Sequence, residues 1–125
     1  MVKYQESEEM YLETILLLKK KNTNVHAINI AEELGYSRPS VSRGVNLLAK
    51  KGYITFGASG EIKFTKLGKN KAEQIYERHT VITELLENIG ATREIAEENA
   101  CRIEHVISPE LFEILKQYVN SLNKK

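Results

Sequence analysis

A chain of 125 residues with 42% hydrophobic content can bury one substantial core or two small ones, which excludes a pair of large domains. Its formal net charge of +1 would by itself argue against a polyanionic partner, because neutralising phosphates takes a concentrated excess of Lys and Arg. The charge is segregated, however. Residues 36–71 carry eight basic side chains against Glu61 alone, and residues 72–113 carry three against ten acids, so a basic module is joined to an acidic one. No apolar stretch approaches membrane-spanning length, and an N-terminus with Glu6, Glu8 and Glu9 is unlike a signal peptide. The single cysteine, Cys101, rules out an internal disulfide framework and suits a reducing compartment. The expectation is a cytoplasmic protein with no membrane partner.

In chain order, residues 8–20 read as a helix capped by Ser7, with acids in the first turn, lysines in the last, and Tyr11, Leu12, Ile15, Leu16 and Leu18 supplying apolar faces. A polar break at residues 22–24 precedes a short helix at 27–34, whose Ile28, Ile30, Ala31 and Leu34 can face inward and which Gly35 ends. Ser37 caps a further helix with Pro39 near its start and Val41, Val45, Leu47 and Leu48 as its buried stripe. Two helices about a Gly35-Tyr36 turn have the helix-turn-helix layout, whose second helix enters the major groove. Residues 53–56 and 61–64 alternate as strands about the turn Gly57-Ala58-Ser59-Gly60, so a two-stranded wing follows the recognition helix. Thr65 caps a long helix over 67–88 that Gly90 stops, Thr92 caps one running to about Val106, and Ser108-Pro109-Glu110 opens a last one ending near Leu122. The fold class is mainly α: a winged helix-turn-helix DNA-binding domain over 1–70, then a helical metal-binding and dimerisation domain over 71–125.

The N-terminal half of a recognition helix points at base edges, which makes Ser37, Arg38, Pro39, Ser40, Ser42 and Arg43 the candidate DNA readers. Arg43 can contact a guanine with two hydrogen bonds, and the serines can donate to bases or phosphates. Lys50, Lys51, Lys63, Lys66 and Lys69 are candidates for phosphate neutralisation. The bland alternative is that these charges are solvated faces, or that the winged helix is a protein-interaction module.

Cys101, Glu104 and His105 stand at i, i+3 and i+4 on the predicted fifth helix, so their side chains emerge from one face. Met10 and Glu13 have the same i, i+3 relation on the first helix, and His79 lies on the long helix. Together these residues could hold a divalent metal ion. Each also has a plainer reading: Met10 as core filler, Cys101 as a small buried hydrophobe, His79 as a surface residue, and Glu104 as the partner of Arg102 or a lysine.

At Glu9-Met10-Tyr11-Leu12-Glu13-Thr14-Ile15, at Ile30-Ala31-Glu32-Glu33-Leu34 with Ser37-Arg38-Pro39-Ser40-Val41-Ser42, and above all at Ala100-Cys101-Arg102-Ile103-Glu104-His105-Val106-Ile107-Ser108, the chain resembles the diphtheria toxin repressor and manganese transport regulator family of metal-dependent repressors. The resemblance runs from about Glu8 to Leu122. It implies a homodimer that binds palindromic operator DNA when loaded with Fe²⁺ or Mn²⁺. It also implies metal ligands at Met10, Cys101, Glu104 and His105, as in the iron branch, while the manganese branch has Asp for Met10, Glu for Cys101, and uses the positions of Glu13 and His79. This chain has sulfur at the branch-defining pair yet keeps Glu13 and His79, so it is a hybrid. Thioether and thiolate ligands disfavour Mn²⁺, which makes Fe²⁺ the expected cofactor, Mn²⁺ the alternative, and Co²⁺, Ni²⁺ or Zn²⁺ ions that bind in vitro. Two positions depart from the family: Thr83 stands where a carboxylate is common, and Glu97 where the iron branch has a second histidine. The small SH3-like domain of iron-branch repressors is expected to be absent.

Three competing readings differ in what they leave unexplained. A winged-helix regulator answering to a small organic ligand, or to oxidation of Cys101, keeps the DNA-binding segment but not the clustered ligands. A metallohydrolase built on His79, Glu104 and His105 leaves the basic segment idle, so the chain is expected not to be an enzyme. A metal buffer should bind metal without changing DNA affinity.

Overall fold

The computed structural model describes residues 2–21 and 24–123, with side chains from residue 8 onward. The chain divides into two compact units, Met1–Glu73 and Gln74–Lys125.

In the first unit, α1 (Val2–Lys21), α2 (Ala27–Leu34) and α3 (Arg38–Lys50) are followed by a two-stranded antiparallel sheet of β1 (Ile54–Phe56) and β2 (Ile62–Phe64). Helix α1 begins at Val2, so Ser7 lies within it and is not its cap; the Ser7 side chain, like Asn22 and Thr23 of the expected break, lies outside the described residues. Helix α2 opens with the His26 N–H donating to the Asn29 side-chain oxygen at 2.8 Å. It closes at Gly35, whose φ of 71° lets the Gly35 and Tyr36 N–H groups both reach the Ala31 carbonyl. Two residues later Ser37 caps α3, its Oγ accepting from the Ser40 N–H at 3.3 Å, with Pro39 in the first turn.

Val41, Val45 and Leu48 are buried at i, i+4 and i+7, one stripe of α3 facing α1 and α2. Leu47 lies off that stripe and is 46% exposed, contrary to expectation, and Ile28 of α2 is exposed for the same angular reason. Leu12 and Ile15 of α1, Ile30 of α2, and Ile54 and Ile62 of the sheet complete a dry core. The sheet pairs Ile54 with Phe64, Thr55 with Lys63 and Phe56 with Ile62, each strand a residue shorter than the sequence pattern suggested. Its turn is braced by Glu61, whose carboxylate accepts from the Ser59 N–H at 3.0 Å and the Ser59 hydroxyl at 2.7 Å, bonds that hold it ionised below the usual carboxylate range. Helix α4 (Lys66–Asn88) starts where the Thr65 hydroxyl accepts from the Gly68 N–H, and Gly68 has no Cβ because one would collide with the Tyr53 carbonyl.

The division between units falls within α4. The second unit then contains α5 (Arg93–Ile103) and α6 (Pro109–Asn123), capped by Thr92 and Ser108 as the sequence predicts. Its core holds Ile75, Ile82, Ala96, Ala100, Phe112 and Val119. Helix α5 stops at Ile103 and not near Val106: the Val106 and Ile107 N–H groups both turn back to the Ile103 carbonyl. Glu104 and His105 therefore sit in a turn, although the Glu104 N–H still bonds the Ala100 carbonyl at 2.9 Å.

Candidate metal centre and nucleic-acid interface

The base-reading candidates are set by the start of α3. Ser37, Arg38, Pro39, Ser42 and Arg43 are exposed, and Ser40 is half-buried. A short polar chain preorders them: the Ser37 hydroxyl bonds Ser40 at 2.9 Å, and Arg43 Nη2 donates to Ser40 Oγ at 3.4 Å. Lys50 and Lys63 are exposed, Lys63 on the outward face of β2. Lys51 is different. Its ammonium donates to Glu8 Oε1 at 2.8 Å, a bond that raises its pKa and ties the end of α3 to α1. The partners lie 43 positions apart, a distance at which no sequence pattern announces a pairing.

On the same unit, Met10 is half-buried and its sulfur accepts a hydrogen bond from the Tyr36 hydroxyl at 3.7 Å, which is not the environment of a core filler. Glu13, one turn on, is buried.

In the second unit the centre of the candidate site is Glu104, which is fully buried. Its two carboxylate oxygens face two different imidazoles: His79 Nδ1 lies 3.0 Å from Oε2, and His105 Nε2 lies 3.2 Å from Oε1. The carboxylate is placed from behind by Arg78, whose Nη1 donates to the Glu104 carbonyl at 3.1 Å while the guanidinium lies over the Phe112 ring at 5.9 Å. Arg78 was not singled out by the sequence, since an arginine before a histidine carries no signal. Cys101 is exposed on the last turn of α5, so it is not a buried hydrophobe, and Glu104 follows as the C-cap of that helix, still in helical conformation. Glu97 is half-exposed with Arg93 Nε 3.4 Å away, and Thr83 is buried with no hydrogen-bond partner for its hydroxyl among the described residues. The Glu97 charge nonetheless acts on His79, helping to raise its pKa, whereas Thr83 offers no carboxylate.

A buried carboxylate between two imidazoles is a nitrogen–oxygen donor set suited to a divalent first-row metal. The hydrogen bond to Glu104 raises the His79 pKa, against the opposing effect of burial. The sign follows from the direction. The stability this pair contributes is fully present below the usual histidine value and is lost as pH rises through the raised one. In the metal-free protein His79 should therefore titrate above the usual histidine value by NMR, and Glu104→Gln should bring its midpoint down. An unmoved midpoint in Glu104→Gln would contradict the assigned pairing.

Comparison with known proteins bears on both surfaces. Residues 3–59 match the model of the iron-dependent repressor N-terminal DNA-binding domain, and residues 65–125 match that of the iron-dependent repressor metal-binding and dimerisation domain. The chain belongs to the iron-dependent repressor family. It is 30% identical over 122 residues to the HTH-type transcriptional regulator MJ0568 of Methanocaldococcus jannaschii, covering 96% of this chain and 98% of that one. It is 31% identical over 107 residues to the diphtheria toxin repressor of Corynebacterium diphtheriae, covering 85% of this chain but 47% of that protein. Among solved structures, the manganese regulator SloR superposes with a TM-score of 0.79 at 28% identity, over 90% of this chain and 53% of SloR. The chain thus spans about half the length of the diphtheria toxin repressor and SloR. As a member of the iron-dependent repressor family it is a metal-dependent transcriptional regulator, with a winged-helix DNA-binding domain and a helical metal-binding and dimerisation domain. No helix among the described residues is long and apolar enough to cross a membrane.

Proposed function

We propose that the chain is a repressor that binds palindromic operator DNA as a homodimer when loaded with a divalent metal, Fe²⁺ in first place and Mn²⁺ as the alternative, and so controls metal homeostasis in the cytoplasm. The observation that carries the reading is Glu104: a carboxylate withdrawn completely from water, with an imidazole on each oxygen, in a chain whose other unit is a basic winged helix. A carboxylate buried this way stays ionised only beside compensating positive charge, and a divalent cation held by Glu104 and the two imidazoles would supply it.

The proposed ligands are His79, Glu104 and His105, with Met10, Glu13 and Cys101 as the further donors that the family resemblance assigns. Glu104 and His79 contribute hard oxygen and intermediate nitrogen, whereas Met10 and Cys101 contribute sulfur, which is why Fe²⁺ is placed before Mn²⁺ and why Co²⁺, Ni²⁺ and Zn²⁺ should bind in vitro. When bound, the divalent cation supplies a charge that holds its donors together. Arg78 positions the Glu104 backbone for that purpose. Helix α1, which carries Met10 and Glu13, packs on both α2 and α3, so a restraint on α1 acts on the helices that present the DNA readers.

Dimerisation is supported by α6. Phe112 and Val119 face the core, while Leu111, Ile114 and Tyr118, at i, i+3 and i+7, form a second apolar face that is 48–61% exposed. Ile95 and Ile89 add exposed apolar surface in the same unit.

Operator-library selection under anaerobic conditions, with and without Fe²⁺, Mn²⁺, Co²⁺ and Zn²⁺, tests the reading directly. A palindromic consensus should emerge only with metal. Arg43→Ala should relax base preference at a cost of roughly 1–3 kcal/mol per half-site, whereas Lys63→Ala should weaken all DNA alike and flatten the salt dependence. The same preference in wild type and Arg43→Ala would count against α3 as the reader.

A further inference from the structure

We infer that Tyr36 is a positioning residue that couples the Met10 thioether to the base-reading end of α3. The inference rests on the metal-dependent reading above and adds a residue that the reading does not use.

The Tyr36 hydroxyl donates to Met10 Sδ at 3.7 Å, across 26 positions of sequence. A thioether sulfur is a weak acceptor with two lone pairs, so this bond orients the end of an otherwise flexible side chain and leaves a lone pair for a soft cation. The other end of Tyr36 is held as firmly. Its N–H bonds the Ala31 carbonyl at 3.2 Å, it follows Gly35 in the left-handed conformation, and it directly precedes Ser37, the cap of α3. Whatever holds or releases the Met10 sulfur therefore acts on the turn from which the DNA readers project.

The next residue of α1 shows why that contact has leverage. The Tyr11 ring meets the Tyr36 ring edge-on, centroids 6.3 Å apart and planes at 82°, and it lies so close to Gly44 that a Cβ there would overlap it. Helix α1 thus grips α3 at two places: near its middle through Tyr11 and Gly44, and at its start through Met10 and Tyr36. The first is a close packing contact that fixes distance. The second is a single polar bond ending on a donor atom of the proposed centre, and it is the one that a bound cation can bias.

Tyr36→Phe in the full chain keeps the ring and its contact with Tyr11 and removes only the hydroxyl. With Co²⁺ as the probe ion, the measurement is operator affinity with and without metal, together with the Met10 methyl resonance of the metal-free protein, which has only two methionines to assign. The expected result is a shifted Met10 methyl signal, an unchanged melting temperature and metal-free DNA affinity, and a ratio of metal-loaded to metal-free affinity lower by about fivefold or more, a drop within the usual range of coupling between sites. In a Met10→Leu background, where there is no sulfur to orient, Tyr36→Phe should have no further effect on that ratio. An unchanged ratio in Tyr36→Phe overturns the inference, and so does an equal loss of affinity with and without metal, which would make Tyr36 a simple DNA contact or turn former. If Tyr36→Phe lowers the melting temperature, the Met10→Leu comparison decides: an effect that persists there does not pass through the sulfur. Absence of metal dependence in the wild type would instead remove the underlying reading, an outcome distinct from wild-type dependence that Tyr36→Phe leaves intact.

Discussion

His105→Ala is expected to abolish metal-activated operator binding with every divalent ion, leaving only the weak, salt-sensitive DNA affinity of the basic unit. His105 has a side chain only 5% exposed, with Nε2 3.2 Å from a carboxylate that is itself fully buried, so no solvent-borne group and no neighbour on its own turn can take over its place. Loss of an outer partner of a metal ligand typically weakens metal binding about 10–100-fold, and loss of a direct donor should exceed that. The fold should survive. Glu104 keeps His79 on its other oxygen and Arg78 on its carbonyl, and α5 has already ended before the substituted position. His105→Gln, which restores most of the volume, separates packing from coordination: it should recover any lost melting temperature but not the metal response. Metal-activated binding retained in both variants, by anaerobic titration against a selected operator, would remove His105 from the proposed ligand set.

The local structure was largely legible in the sequence because it is encoded locally. Ser37, Thr65, Thr92 and Ser108 all cap the helices they precede, since a short side-chain oxygen beside four unsatisfied N–H groups has the same preferred geometry wherever it occurs. Gly35 ends α2 for an equally local reason. Misplacements arose where a boundary lacks such a marker. Nothing resembling a stop stands at Ile103, and helical bonding continues one residue past it, so a helix drawn to Val106 is what periodicity suggests. Helix α1 begins five residues before Ser7 because its early residues can continue a helix whether or not a capping residue is available later.

The side-chain pairings were less legible. The i, i+3, i+4 spacing put Cys101, Glu104 and His105 on one face but could not give them equal burial, and only tertiary packing leaves Cys101 exposed with Glu104 dry. The bond from His79 to Glu104 spans 25 positions, that from Arg78 to the Glu104 carbonyl 26, and that from Lys51 to Glu8 43, and none leaves a periodic trace. Lys51 shows the consequence. Counted by charge it belongs with the candidate phosphate contacts, and no sequence pattern shows that a carboxylate 2.8 Å away also ties it to α1.

Leu111→Glu with Ile114→Glu is expected to convert the protein to a monomer and to reduce operator affinity by about a thousandfold or more. The two side chains are 48% and 61% exposed on α6, off the stripe of Phe112 and Val119 that faces the core, so two carboxylates there remain hydrated in an isolated subunit and should leave its core intact. In a dimer that buries this face, each substitution would bring a charge into an apolar contact against its symmetry-related copy, and burying an unpaired charge costs several kcal/mol. The loss of DNA affinity then follows from geometry rather than from any contact with DNA. A palindromic operator presents two half-sites about one helical turn apart, and a dimer gains by engaging both at once, whereas a monomer has the affinity of one winged helix alone. Sedimentation at micromolar concentration and operator titration of the same samples check both parts. A stable, folded dimer in the double variant would place the subunit interface elsewhere, and a monomer with wild-type operator affinity would show that the two half-sites are not read together.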